Sequence, residues 1–185
     1  MQKKRLIKEN DYLVGSGANF TCAKISPNRC NVLAAGDDQN NIIIWKLTET
    51  NPRKRMVGKS PASTMIFSDS IQKLFTGTMS GMAHSWDIEK STEIRSFRGH
   101  QAACSALCTS MSDTNLFTGG ADAKVRVWDQ RQEQCVATFR EHGETVTCIR
   151  QSPDAKWIAS GSSDGSVKIW DLRNNRMLQS FDFPG

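Results

Sequence analysis

His142, Ser160 and Asp164 are the residue types of a nucleophilic triad, and they fall within 22 positions in "REHGET" and "IASGSSDG". A serine hydroxyl attacks a carbonyl once an imidazole takes its proton, and a carboxylate fixes the tautomer of that imidazole. The same three groups can instead form a hydrogen-bonded brace between strands. Spacing separates the two readings. His100, Thr118 and Asp122 repeat the separations of 18 and 4 residues, and each set is followed by a tryptophan 28 residues after its histidine, Trp128 and Trp170. A reacting serine is needed once, and threonine is a poor substitute for it. A brace tolerates that exchange and recurs wherever its scaffold does. The repeated spacing therefore favours the brace, in which removing one member leaves a buried partner unpaired at a cost of about 1–3 kcal/mol.

What positions these residues is a repeat. Trp45, Trp86, Trp128 and Trp170 are separated by 41, 42 and 42 residues, and aspartate follows all but the first, which reads "IWKLTE". "KVRVW" and "SVKIW" alternate apolar and polar residues up to the tryptophan. Short apolar runs closing in glycine precede them: "VLAAGD", "KLFTGT", "NLFTGG" and "WIASGS". Alternation broken by Gly and Asp turns predicts antiparallel hairpins, four short strands per unit. In the third copy the strands are expected near 103–109, 115–119, 124–128 and 134–139. Pro27 in "ISPN" and Pro153 in "QSPD" mark the turns between first and second strands. No helical periodicity competes with this pattern.

A four-stranded unit bearing a repeated Trp-Asp mark resembles the WD40 repeat family. The resemblance spans about residues 13–181 and implies an all-β fold, a WD40 β-propeller with four blades of four antiparallel strands. Residues 1–12 are expected to form an outer strand or tail, with blades at about 13–57, 58–98, 99–140 and 141–183. The resemblance also implies structural tetrads: His100, Thr118, Asp122 and Trp128 in the third copy, His142, Ser160, Asp164 and Trp170 in the fourth. The earlier copies depart from it. At the histidine position stand Ser16 and then Gly58 or Lys59, and the hydroxyl and acid positions read Ala34 with Asp38, then Thr76 with Ser80. Blades one and two are accordingly expected to rest on apolar packing and to open more easily. Cys22, Ala106 and Cys148 share a phase and read as small buried residues of the innermost strand; His84 reads as a surface or packing residue, and Trp157, at a strand start, as a packing residue and not a ligand clamp.

Bulk properties narrow the remaining classes. With 185 residues, 38% hydrophobic and 23% charged, the chain reads as one globular domain. The longest apolar run, "NIIIW", is far below a membrane span, and the N-terminal residues lack the apolar core of a secretory signal, so a cytoplasmic protein without membrane association is expected. Six cysteines without any CxxC pair, and three histidines, give no metal site, and nothing calls for a cofactor. The net charge of +5 is scattered, as in "KKR" at 3–5 and "RKR" at 53–55, which does not point to specific nucleic-acid binding.

Propellers close with about 4 to 8 blades, so four legible units are expected to form an open partial ring, as a fragment of a longer propeller, with a four-blade ring as the alternative. Its uncovered blade faces are expected to associate. The runs "SGMAHSWDIEKSTEIRSFRGHQAACSAL" and "VWDQRQEQCVATFREH" are similar to the WD-repeat regulatory subunits of the microtubule-severing ATPase katanin, as are "GDD…IIIWKL" and "GKSPAS". That resemblance implies a non-catalytic protein-interaction scaffold that targets or regulates severing at microtubules and their organising centres. A substrate or assembly adaptor of a ubiquitin-ligase or RNA-processing complex is the alternative, and a hydrolase the remote third. Lys59, Gln101 and Glu144, beside the loops that lead into the innermost strands, are the candidate partner contacts.

Overall fold

A computed structural model describes residues 18–27, 31–46, 52–132 and 134–183, and every regular element among them is a strand. The first sheet comprises β1 (Phe20–Ile25), β2 (Val32–Asp37), β3 (Asn41–Lys46) and β4 (Pro52–Val57). The second comprises β5 (Ala62–Phe67), β6 (Lys73–Thr78), β7 (Met82–Asp87) and β8 (Thr92–Arg98). The third comprises β9 (Cys104–Thr109), β10 (Asn115–Gly120), β11 (Val125–Asp129) and β12 (Cys135–Phe139). The fourth comprises β13 (Val146–Gln151), β14 (Trp157–Ser162), β15 (Ser166–Asp171) and β16 (Arg176–Asp182). Each sheet is antiparallel in chain order, and β9 to β12 match the strands expected for the third copy to within a residue. The turns between second and third strands also repeat, with positive φ at Asn40, Gly81, Ala123 and Gly165. The expected outer strand at 1–12 and Ser16 lie outside the described residues.

The sheets stack face to face in chain order. Ile42, Ile44 and Met56 of the first meet Met65, Leu74 and Trp86 of the second. Phe75 and Phe97 meet Leu116 and Trp128. Phe117, Val127 and Phe139 meet Ile149, Ile158 and Trp170. Each blade thus turns its tryptophan toward the preceding blade. Burial of this apolar area, at about 25 cal/mol per Å2, drives the stacking.

Two further series run through the stack at the repeat period. A side chain on Gly36 would meet Ala62, one on Gly77 would meet Cys104, and one on Gly119 would meet Val146, each Cβ falling within 3.0 Å of the next blade's innermost strand. Absence of a side chain is what admits that strand. Beside these glycines, the hydroxyls of Thr21, Ser63 and Ser105 donate to the carbonyls of Ala62, Cys104 and Val146 in turn. A neutral hydrogen bond of this kind adds about 0.5–1.5 kcal/mol and fixes the register between sheets.

The arc ends in two uncovered faces, in keeping with an open ring. Phe20 and Ile25 of the first blade and Trp157 and Phe181 of the fourth are exposed. This corrects two expectations. Cys148 is exposed, although Ala106 at the same phase is buried, because burial there depends on a following blade; Cys22 has that blade, with its Sγ 3.4 Å from Ala62 O, and is half-buried. Trp157 begins β14 as expected but stands 45% exposed on the outward face of the fourth sheet.

Candidate functional site

The loop before the innermost strand, the second strand and the turn between second and third strands bring the two hydroxyl–histidine–carboxylate sets together. In the third blade, His100 Nδ1 lies 2.7 Å from Asp122 Oδ1, and its Nε2 lies 2.7 Å from Thr118 Oγ1. Trp128 Nε1 donates to the same hydroxyl at 2.9 Å. In the fourth blade His142 Nε2 lies 2.7 Å from Ser160 Oγ, and Trp170 Nε1 donates to that oxygen at 2.8 Å. His142 Nδ1 lies 3.3 Å from Asp164 Oδ2. All eight residues named for the tetrads therefore converge as two groups.

The indole N–H can only donate, which sets the direction of the whole chain of bonds. The hydroxyl oxygen accepts from tryptophan and gives its own proton to His Nε2, so the neutral imidazole carries its proton on Nδ1 and donates it to the carboxylate. The aspartate also anchors the loop leading into the blade: Gln101 N–H donates to Asp122 and Gly143 N–H to Asp164. One brace thereby ties a loop, a turn and two strands together.

The looser pair in the fourth blade has a local cause. A Cβ at Gly120 would fall about 2.4 Å from His100 Nδ1 and 2.5 Å from Asp122 Oδ1, so glycine is what lets that pair close. Ser162 occupies the same phase in the fourth blade, and there Ser166 fills in, its hydroxyl donating to Asp164 Oδ1 at 2.6 Å and lying 3.1 Å from His142 Nδ1. Ser166 has no counterpart at its phase, where the third blade has Lys124, so the repeat could not disclose it.

Geometrically each set resembles a triad, and accessibility decides what it can do. Thr118 is 0% and Ser160 1% exposed, and both hydroxyls already accept from an indole. A carbonyl carbon has no path to either oxygen. The arrangement is built to bear load between strands.

Burial pushes the His100 and His142 imidazoles below their ordinary range, against the opposing pull of Asp122 and Asp164. Burial also disfavours ionised Asp122 and Asp164, but the bonds from His100, or from Ser166, Gly143 and His142, outweigh it and hold both carboxyls low. Unfolded histidine titrates near about 6.5 and aspartate near about 3.9. Between those values and the lower folded ones the unfolded chain binds more protons, so stability is complete above about pH 6.5 and drains as pH falls. The thermal midpoint should therefore drop steadily from pH 7.5 to 5, with a further drop below pH 4. A midpoint that rises across the histidine range would contradict this.

The first two blades differ as their residues dictate. Trp86 Nε1 still donates to Thr76 Oγ1 at 2.9 Å, while Ser80 at the acid position bonds Thr78. Strand pairing places Leu33 opposite Trp45 as Leu74 stands opposite Trp86, so Ala35, and not Ala34, occupies the hydroxyl position of the first blade. Ala34 instead faces the second sheet. Asp38 keeps part of the expected role, accepting Asn19 N–H from the segment before β1 at 3.1 Å. His84 is buried and pairs with Glu93 at 2.7 Å, a partner nine residues on that the tryptophan spacing gave no reason to name. Lys59, Gln101 and Glu144 are all exposed, each on the loop before an innermost strand.

Residues 91–129 and 133–171 each match the WD domain, G-beta repeat family (WD40). Among solved structures, a chain of the "Crystal Structure of Mitotic Checkpoint Complex" is similar with a TM-score of 0.84 at 20% sequence identity, over 91% of this chain and 54% of that one. This chain thus spans about half the length of that neighbour. At such identity the likeness speaks for the fold, an arc of propeller blades. No curated protein matches the sequence.

Proposed function

We propose that this chain of WD40 repeats is a non-catalytic protein-interaction scaffold. The observation that carries the reading is the closure of both candidate triads: their hydroxyls are buried and occupied, while the loops around them are exposed. A rigid arc that displays loops at fixed spacing is suited to binding proteins. The neighbouring structure is itself described as a complex. Lys59, Gln101 and Glu144 sit on the displayed loops and are the contacts proposed for a partner.

The finer proposal is a role like that of katanin regulatory subunits, targeting or regulating microtubule severing in the cytoplasm or at organising centres. It rests on the similar runs at 80–107 and 127–142, and on a net charge of +5 that suits an acidic polymer surface. Co-sedimentation with polymerised tubulin tests it: the chain should pellet at low salt and be released at raised salt, and Lys59→Glu should weaken pelleting. Ser160→Ala should lose stability yet leave binding unchanged at low temperature. A chain that stays in the supernatant at low salt removes the microtubule reading and leaves the ubiquitin-ligase or RNA-processing adaptor reading. An ester or peptide turnover that vanishes in Ser160→Ala would remove the scaffold reading itself.

A further inference from the structure

The outward face of the fourth sheet repeats, position for position, the faces that the earlier blades bury. Thr147 continues the series Thr21, Ser63, Ser105 at 42-residue steps, and Gly161 continues Gly36, Gly77, Gly119. In the three buried cases the hydroxyl reaches a carbonyl of the next innermost strand and the glycine makes room for it. Thr21 and Ser105 also bond Gly36 O and Gly119 O of their own sheets; Thr147 keeps that bond alone, to Gly161 O, and a side chain on Gly161 would come closest to Cys148 Sγ of the same sheet. Val167, Ile169 and Phe181 hold the phases of the buried Val125, Val127 and Phe139, and Phe181 is exposed. A shallow apolar cavity lies beside them, lined by Trp157, Ala159 and Ile169. A glycine whose missing side chain admits no neighbouring strand, and a hydroxyl left with only its own-sheet bond, mark a place where a strand seats.

The matching face is at the other end of the same chain. The first blade turns outward the side that carries the tryptophan in every blade, with Leu33 and Trp45 in the places of Leu116 and Trp128. Phe20 holds the phase of Ala62, Cys104 and Val146, whose carbonyls accept the hydroxyls, and it is exposed. At the seat of Gly119 the incoming pair is Val146 and Ile149; the first blade would offer Phe20 and Ala23, one larger and one smaller. Arg150 replaces Cys108 at its phase, and its guanidinium turns aside onto the Ile149 carbonyl.

We propose that two copies of this chain associate head to tail, the fourth blade of each seating the first blade of the other. The hydroxyl of Thr147 then donates to Phe20 C=O of the partner copy, and Gly161 admits the partner's β1. Unlike faces meet twice about a two-fold axis, and four blades from each copy close a ring of eight, within the range propellers adopt. The contact extends the blade-to-blade interface already formed three times within the chain.

Size exclusion with light scattering should give twice the 20.6 kDa chain mass at tens of micromolar. Ile169→Lys, which places a charge on a face that is open in the single copy, should halve that mass and leave the far-UV circular dichroism unchanged. Cys22 Sγ lies 3.4 Å from Ala62 O inside the chain, and Cys148 and residue 20 are the corresponding pair between copies. Phe20→Cys should therefore form a diamide-induced, thiol-reversible dimer that is lost when Cys148→Ser is added. A wild-type chain of single mass overturns the proposal. So does a species that grows without limit on concentration, or a cross-link that survives without Cys148.

Discussion

Thr118→Val should lower the unfolding free energy by about 1–3 kcal/mol for each of two groups it orphans. Valine nearly matches threonine in shape, so little packing is lost at a site that is 0% exposed. What disappears is one oxygen that accepts from Trp128 Nε1 and donates to His100 Nε2. Both nitrogens stay buried without a partner or water. Thr118→Ser keeps the oxygen and should cost much less, since Ser160 does the same task one blade later. Thr76→Val should fall between the two, because only Trp86 depends on that hydroxyl for a bond of this kind. Urea midpoints at constant m-value read the series. Equal losses for valine and serine at position 118 would show that the hydroxyl carries no load.

The second large effect is expected from Trp170→Ala, at about 3–5 kcal/mol. The indole is fully buried, stacks on Phe139 at 4.7 Å between ring centroids and presents an edge to His142 at 5.8 Å. Its loss leaves a cavity between the third and fourth sheets and removes the donor that orients Ser160. In a stack where each unit touches only its neighbours, the damage should stay local. Amide exchange should accelerate across 142–182 while 62–98 keeps its protection. A uniform loss of protection along the chain would mean that the blades do not behave as separable units.

The contrast between blades follows from the same accounting. The third and fourth blades tie the loop leading into them to a turn through histidine; the second keeps only the tryptophan-to-threonine bond. Gly120 and Ser162 then tune how tightly each histidine meets its aspartate. Small changes at one phase of the repeat thus alter the brace without altering the sheet.

Much of this was legible in the residues themselves. Alternation and Gly/Asp turns set four strands per unit, because a pleated strand shows successive side chains to opposite faces. The repeated separations of His100, Thr118 and Asp122 from their later counterparts identified two copies of one constellation. The Ser/Thr series at 21, 63, 105 and 147 is equally periodic, but a hydroxyl spacing acquires meaning only from the stacking that points it across sheets. Ala35, and not Ala34, takes the hydroxyl place because the first copy is one residue longer between its first two strands, which moves the 42-residue phase by one; the pairing of Leu33 with Trp45 shows the step.

What the chain's order of residues determined by itself was everything local: strand, turn, repeat and the membership of each brace. Tertiary structure decided which of those equivalent positions are dry. Cys148 and Ala106 share a phase, yet one meets solvent and the other a neighbouring sheet. The physical reason is that a side chain's face follows from its own strand, whereas its burial requires a second surface, supplied by residues some 40 positions away or by another molecule.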